Sequence, residues 1–148
     1  MFDNLKSLFT NSAPQAVPPI IIDAPTALAA LLVRAAKVDN RYAYEEIRMI
    51  DHQLVRRFGL PIVQAMKLRA RADRLEATQA ATSALVEFIR DALPDEDRLE
   101  ILEALWAVAL VDGKQRANKV QLVQLASIHL GMPRADMQVA REHAMMNN

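Results

Sequence analysis

The sequence predicts an all-α protein, a compact bundle of about seven helices built as two pseudo-repeated halves, each a helix, an aspartate-bearing loop and a second helix. The first observation behind this is composition: glycine occurs only 3 times, aromatics make up 5%, and Ala, Leu, Arg, Glu and Met dominate. These are helix formers with little β preference. The second is periodicity, since apolar residues return every three or four positions instead of alternating. The third is internal repetition. An apolar-periodic stretch from Leu28 runs into Val38-Asp39-Asn40, and a second, Ile47 to Phe58, stops at Gly59-Leu60-Pro61. The pattern returns from Ile101 to Val111-Asp112-Gly113, then from Val120 to Leu130, with a stop at Gly131-Met132-Pro133. Asp39 and Asp112 fall at matching places in the two copies.

At 148 residues and 52% apolar, the chain is long enough for one domain with a real core. Residues 1–10 place Phe2, Leu5, Leu8 and Phe9 on one face of a short amphipathic helix, while Asp3 and Lys6 interrupt the apolar run that a signal peptide would need. Residues 11–22 form a linker with Pro14, Pro18 and Pro19 and no usable period. The helical domain is expected over 23–146. No stretch reaches the roughly 20 apolar residues that cross a bilayer, so a cytoplasmic protein is expected, peripheral to the inner membrane at most through weak surface contact of its leading helix. The formal net charge of zero gives no field to steer the chain onto nucleic acid. The absence of cysteine excludes disulfides, thiolate metal sites and cysteine nucleophiles.

Within the domain, Asp23 and Pro25 signal the start of a helix that buries Leu28, Leu31, Leu32, Ala35 and Ala36 and ends near Val38. A second helix is expected from Tyr44 to Phe58, with Ile47, Ile50, Leu54 and Phe58 on one face. Gly59 offers a left-handed stop, and Pro61 opens a third helix carrying Ile62, Ala65, Leu68, Ala72 and Leu75 inward. A fourth is expected from Thr78 to Leu93, with Ala81, Leu85, Phe88 and Ile89 as its seam. Pro94 followed by Asp95, Glu96 and Asp97 reads as the first turn of a fifth, because acids there complement the positive end of the helix dipole. That helix buries Leu99, Leu102, Leu105, Trp106, Ala109 and Leu110. A sixth covers Ala117 to Leu130, and a seventh runs from Pro133 to Met145.

The two aspartate loops carry what chemistry the sequence offers. Asp39 closes the first helix and Glu46 lies in the first turn of the second, so a tight turn brings both carboxylates within reach of one hard, oxygen-seeking cation. In the second loop Asp112 remains, but Lys119 stands where Glu46 would, and a cation there would face Lys114, Arg116 and Lys119. Asp112 is therefore a poor metal ligand. The competing account is structural: aspartates at helix ends accept hydrogen bonds from turn N–H groups, Asn40 and Gly113 tolerate positive φ, and the dipole favours Glu46. Capping is the expected role at both loops. Neither loop has the alternating ligands of a twelve-residue calcium loop. Asn118 and Gln121 have capping-box spacing.

This grammar, with its Leu105-Trp106-Ala107-Val108-Ala109-Leu110-Val111-Asp112-Gly113 repeat and most specifically the stretch from Ile101 to Asp112, resembles the tellurite-resistance TerB family, with the likeness running from Ala24 to Arg141. The resemblance implies a seven-helix bundle with pseudo-twofold halves, a fold shared with a domain of a membrane-anchored DnaJ-like co-chaperone. It implies a binding role in metal or chemical stress rather than catalysis, with a protein partner and a divalent cation at acidic loop residues. Asp39 and Glu46 match the family's Asp-Gly-x5-Glu motif, with Asn40 in place of glycine. Asp112 and Gly113 match the second motif, with Lys119 in place of the acid, which argues against a two-site metal centre.

The function expected is thus a non-catalytic adaptor module, and the alternative is a divalent-metal sensor acting through Asp39 and Glu46. A homodimer is also compatible with the pattern: the basic residues Lys67, Arg71 and Arg74 form one face, and the acids from Glu87 to Glu103 answer it within one copy or between two. The basic face lacks the aromatic interleaving of a base-stacking surface. His52, His129 and His143 share no metal-ligand spacing, and His129 is expected to be packed.

Overall fold

The computed structural model describes residues 22–147. The expected leading helix at 1–10 and the linker up to residue 21 lie outside the described residues. Within them are seven α-helices and no strand: α1 (Ala24–Lys37), α2 (Tyr44–Phe58), α3 (Ile62–Ala77), α4 (Thr82–Ala92), α5 (Arg98–Ala109), α6 (Ala117–Leu130) and α7 (Arg134–Asn147). None of them is long and apolar enough to cross a membrane.

The bundle is organised around α1. Asp23, in extended conformation, accepts the Thr26 N–H at 2.8 Å, and Pro25 presets the first turn. From Thr26 to Val33 every residue is buried, as are Ala35 and Ala36, so this helix is apolar all round rather than on one stripe. It packs against α2, α3, α4, α5 and α6. Of its two basic side chains, Lys37 pairs with Glu76 at the end of α3, and Arg34 reaches Glu76, the Ala80 carbonyl and the Thr82 hydroxyl, the last at 3.1 Å. One guanidinium therefore pins the α3–α4 connection onto the central helix.

Helix α2 ends as expected at Gly59, whose φ of 64° is open to glycine at little cost. Helix α3 turns Ala65, Leu68, Ala72 and Leu75 inward, but Ile62 stays 54% exposed. Val63 and Met66 are exposed beside it, because among the described residues no helix packs over this first turn of α3. Helix α4 starts at Thr82, four residues later than the expected Thr78. Thr78 instead ends α3, donating its hydroxyl to the Leu75 carbonyl at 2.7 Å, and Gln79 adopts a φ of 64° that no helix can pass through. The buried seam of α4 is Leu85, Val86 and Ile89, while Phe88 faces outward, as does Ala81 just before the helix.

The acids Asp95, Glu96 and Asp97 form a separate 3-10 turn before α5. Pro94 is extended, and the Asp97 N–H closes on its carbonyl at 3.0 Å, a three-residue ring tighter than an α-turn. Helix α5 is the second buried helix, with everything from Ile101 to Ala109 inside except the half-buried Glu103. Trp106 is 2% exposed and faces α7. At the start of α6, Asn118 lies inside the helix and does not cap it; its amide instead donates to the Val38 carbonyl at 3.3 Å, tying α6 to the end of α1.

Candidate functional site

The two aspartate loops, far apart in sequence, face each other in the fold. Each is built by the same local device. Asp39 Oδ1 accepts the Arg41 N–H at 3.2 Å and Asp112 Oδ1 accepts the Lys114 N–H at 2.9 Å. In each loop the next residue takes the left-handed conformation, Asn40 with φ 63° and Gly113 with φ 78°. These side chain to backbone turns are the capping role expected for both aspartates.

Glu46 opens α2 by reaching back to the Ala43 N–H, which Oε1 accepts at 2.9 Å. This is half of a capping box, with alanine in the place of the usual hydroxyl residue. The other oxygen, Oε2, forms an ion pair with Lys119 Nζ. Both partners are almost completely enclosed, the lysine side chain at 2% exposure and the glutamate at 5%. They lie 73 residues apart, the offset that also separates Asp39 from Asp112.

Around this pair the remaining charges close a network. Asp39 Oδ2 stands 3.9 Å from Lys119 Nζ and 3.7 Å from Arg116 Nε. Arg116 grips Asp112 Oδ2 with two nitrogens, at 2.8 and 3.0 Å. Burial pushes the Asp112 carboxyl up, but the Lys114 N–H, the Arg116 guanidinium and the Lys119 ammonium together hold it below its ordinary value. Three carboxylates and two bases thus form one knot that joins the α1–α2 loop to the α5–α6 loop.

The structure therefore sets Asp39 and Glu46 against the same Lys119 ammonium and joins Asp112 to the cluster through Arg116. It also places at their centre a residue that the sequence marks only as a departure. Opposite charges at the same 73-residue offset as Asp39 and Asp112, on Glu46 and Lys119, are the sequence's signal that the two meet; nothing in the sequence announces the Asn118 bridge to Val38.

As it stands, this donor set does not fit a divalent cation. Every carboxylate oxygen of the three acids has a donor or a base as its partner. An ion seated between Asp39 and Glu46 would lie roughly 4 Å from the ammonium, where two unit charges already repel by about 4 kcal/mol at an effective dielectric near 20. Among the described residues no group of three or more His, Asp or Glu side chains is arranged to hold a metal ion.

Beside the second loop, a cleft of about 260 Å³ opens between α2, α5 and α7. Met49, Leu110, Val111 and Met145 supply its apolar wall, and Gly113 and Arg141 stand at its edge. The Arg141 guanidinium lies over the Trp106 ring, 5.9 Å from its centre.

Residues 25–142 match the family model described as tellurite resistance protein TerB, a span that takes in both loops and most of the chain. No curated protein and no solved structure matches the chain.

Proposed function

Since the chain belongs to the TerB tellurite-resistance family, we propose that it is a non-catalytic binding module of a tellurite or chemical-stress response, working in the cytoplasm by docking a partner protein. The observation that carries this reading is the cleft beside the second loop. Met49 and Met145 flank it with flexible, polarisable thioethers that adapt to an apolar partner, and Leu110 and Val111 give it an aliphatic wall. Met145 is more than half exposed, so the wall is accessible from solvent. The loop knot sits next to this cleft through Gly113 and fixes one of its edges. A partner segment with an apolar face is the chemistry it would take.

The test is growth under tellurite of cells lacking the chain, complemented either by the wild-type protein or by Val111→Glu with Met145→Glu. Restored growth with the wild type and none with the variant, at equal helicity and abundance, is the expected result. Equal growth with and without the chain would remove the stress role. Full rescue by the variant would remove the cleft from it.

A further inference from the structure

We infer that the ε-ammonium of Lys119 stands where a divalent cation would otherwise bridge the two aspartate loops, so that this chain joins its loops without metal and the residue at position 119 decides between the two arrangements.

The chemistry of the junction requires a positive charge. Asp39 Oδ2 and Glu46 Oε2 both point at a single enclosed locus, and leaving two carboxylates there without a cation would be costly. Hard cations satisfy such oxygens, and so does an ammonium with its three donors. Lys119 meets the requirement from within the chain. Its stem is buried against the core and its nitrogen contacts the acids of the opposite loop. Arg116 does the same for Asp112, with Asp39 shared between the two bases.

An acid at position 119 would change the balance at one step. The lysine's positive charge would become a fourth carboxylate beside Asp39, Glu46 and Asp112, with only Arg116 left to answer four negative charges. That is an oxygen-rich, electron-rich cluster of the kind that calcium or manganese neutralises. A neutral residue there would remove the resident cation without supplying a new ligand. The inference is independent of the partner reading, since it concerns what holds the loops together and not what the cleft binds.

The test is thermal unfolding of the full chain, wild type, Lys119→Glu, and Lys119→Glu with Glu46→Gln, each in chelator and in millimolar Ca²⁺ or Mn²⁺. The wild type is expected to melt at the same temperature in all three solutions. Lys119→Glu should melt lower in chelator and recover by about 5 to 10 °C when the cation reaches a hundredfold excess over its Kd. If Lys119→Glu is unfolded in chelator, return of its helical circular dichroism on adding cation is the same result in another form. The double variant should lose this response. A wild type that gains stability from either cation would overturn the inference. So would a Lys119→Glu chain that behaves alike with and without cation, or a double variant that keeps the response.

Discussion

Trp106 on α5 donates its indole N–H to the backbone carbonyl of Met137 on α7, at 3.2 Å. The sole tryptophan of the chain is therefore both the largest enclosed side chain and a polar clasp between two helices. Trp106→Ala should cost about 3 to 5 kcal/mol by loss of packing and the cavity left behind. Native fluorescence should peak in the blue range of a dehydrated indole and shift to the red on unfolding. Emission of a hydrated indole from the folded protein would contradict the packing.

Arg34 is the second clasp. Arg34→Met keeps the apolar stem but withdraws the donors from the Ala80 carbonyl and the Thr82 hydroxyl, while Glu76 retains Lys37 at 3.1 Å. A loss of about 2 to 3 kcal/mol is expected in urea unfolding, the usual range for charge-assisted hydrogen bonds. A change within about 0.5 kcal/mol, typical of idle surface positions, would show that the α3–α4 connection holds without it.

Gln79 takes a left-handed backbone that L-residues enter at a cost. Gln79→Gly should stabilise the fold by about 0.5 to 1 kcal/mol, the relief of strain exceeding the added freedom of the unfolded chain. Differential scanning calorimetry would record a higher Tm, and an unchanged or lower Tm would refute the strain.

Acid should weaken the fold through two aspartates. At Asp23 burial raises the carboxyl, but the Thr26 N–H and the charge of Arg71 outweigh it, leaving the group below its ordinary 3.8; Asp112 is lowered likewise. A carboxyl whose folded value is lower than its unfolded one contributes stability that is fully present above the unfolded value and is lost as pH falls through the folded one. The urea midpoint should therefore fall below pH 3.8, and the fall should be shallower in Asp112→Asn. A midpoint that rises on acidification through this window would reverse the assignment.

Helix identities and most of the core were legible in the sequence because they rest on local rules. Leu102, Leu105 and Trp106 repeat at helical spacing, and Gly59 and Gly131 supply left-handed stops, so the core face and the breaks follow without tertiary knowledge. What was not legible depended on neighbours far along the chain. Ile62 fits the apolar face of α3, yet no helix among the described residues covers that turn. Thr78 resembles a helix start by composition, yet it spends its hydroxyl on the carbonyl of the helix before it. At the loops, spacing found Asp39 and Glu46 as a pair and marked Lys119 as a misfit. Only the fold brings the misfit onto Glu46.

The burial of α1 has a consequence for biogenesis. It is the first helix of the domain to leave the ribosome, yet the partners that enclose it extend to α6, which begins at residue 117. A helix that is apolar on most of its surface has no stable solvated form of its own, so the nascent chain carries a rod whose cover is incomplete until α5 and α6 have been synthesised. A ribosome-stalled chain whose exposed part ends at Ala92 should be cleaved by protease within residues 26–36, whereas one exposed through Asn148 should resist there. Protection of that segment in the shorter chain would show that α2, α3 and α4 suffice to shelter it.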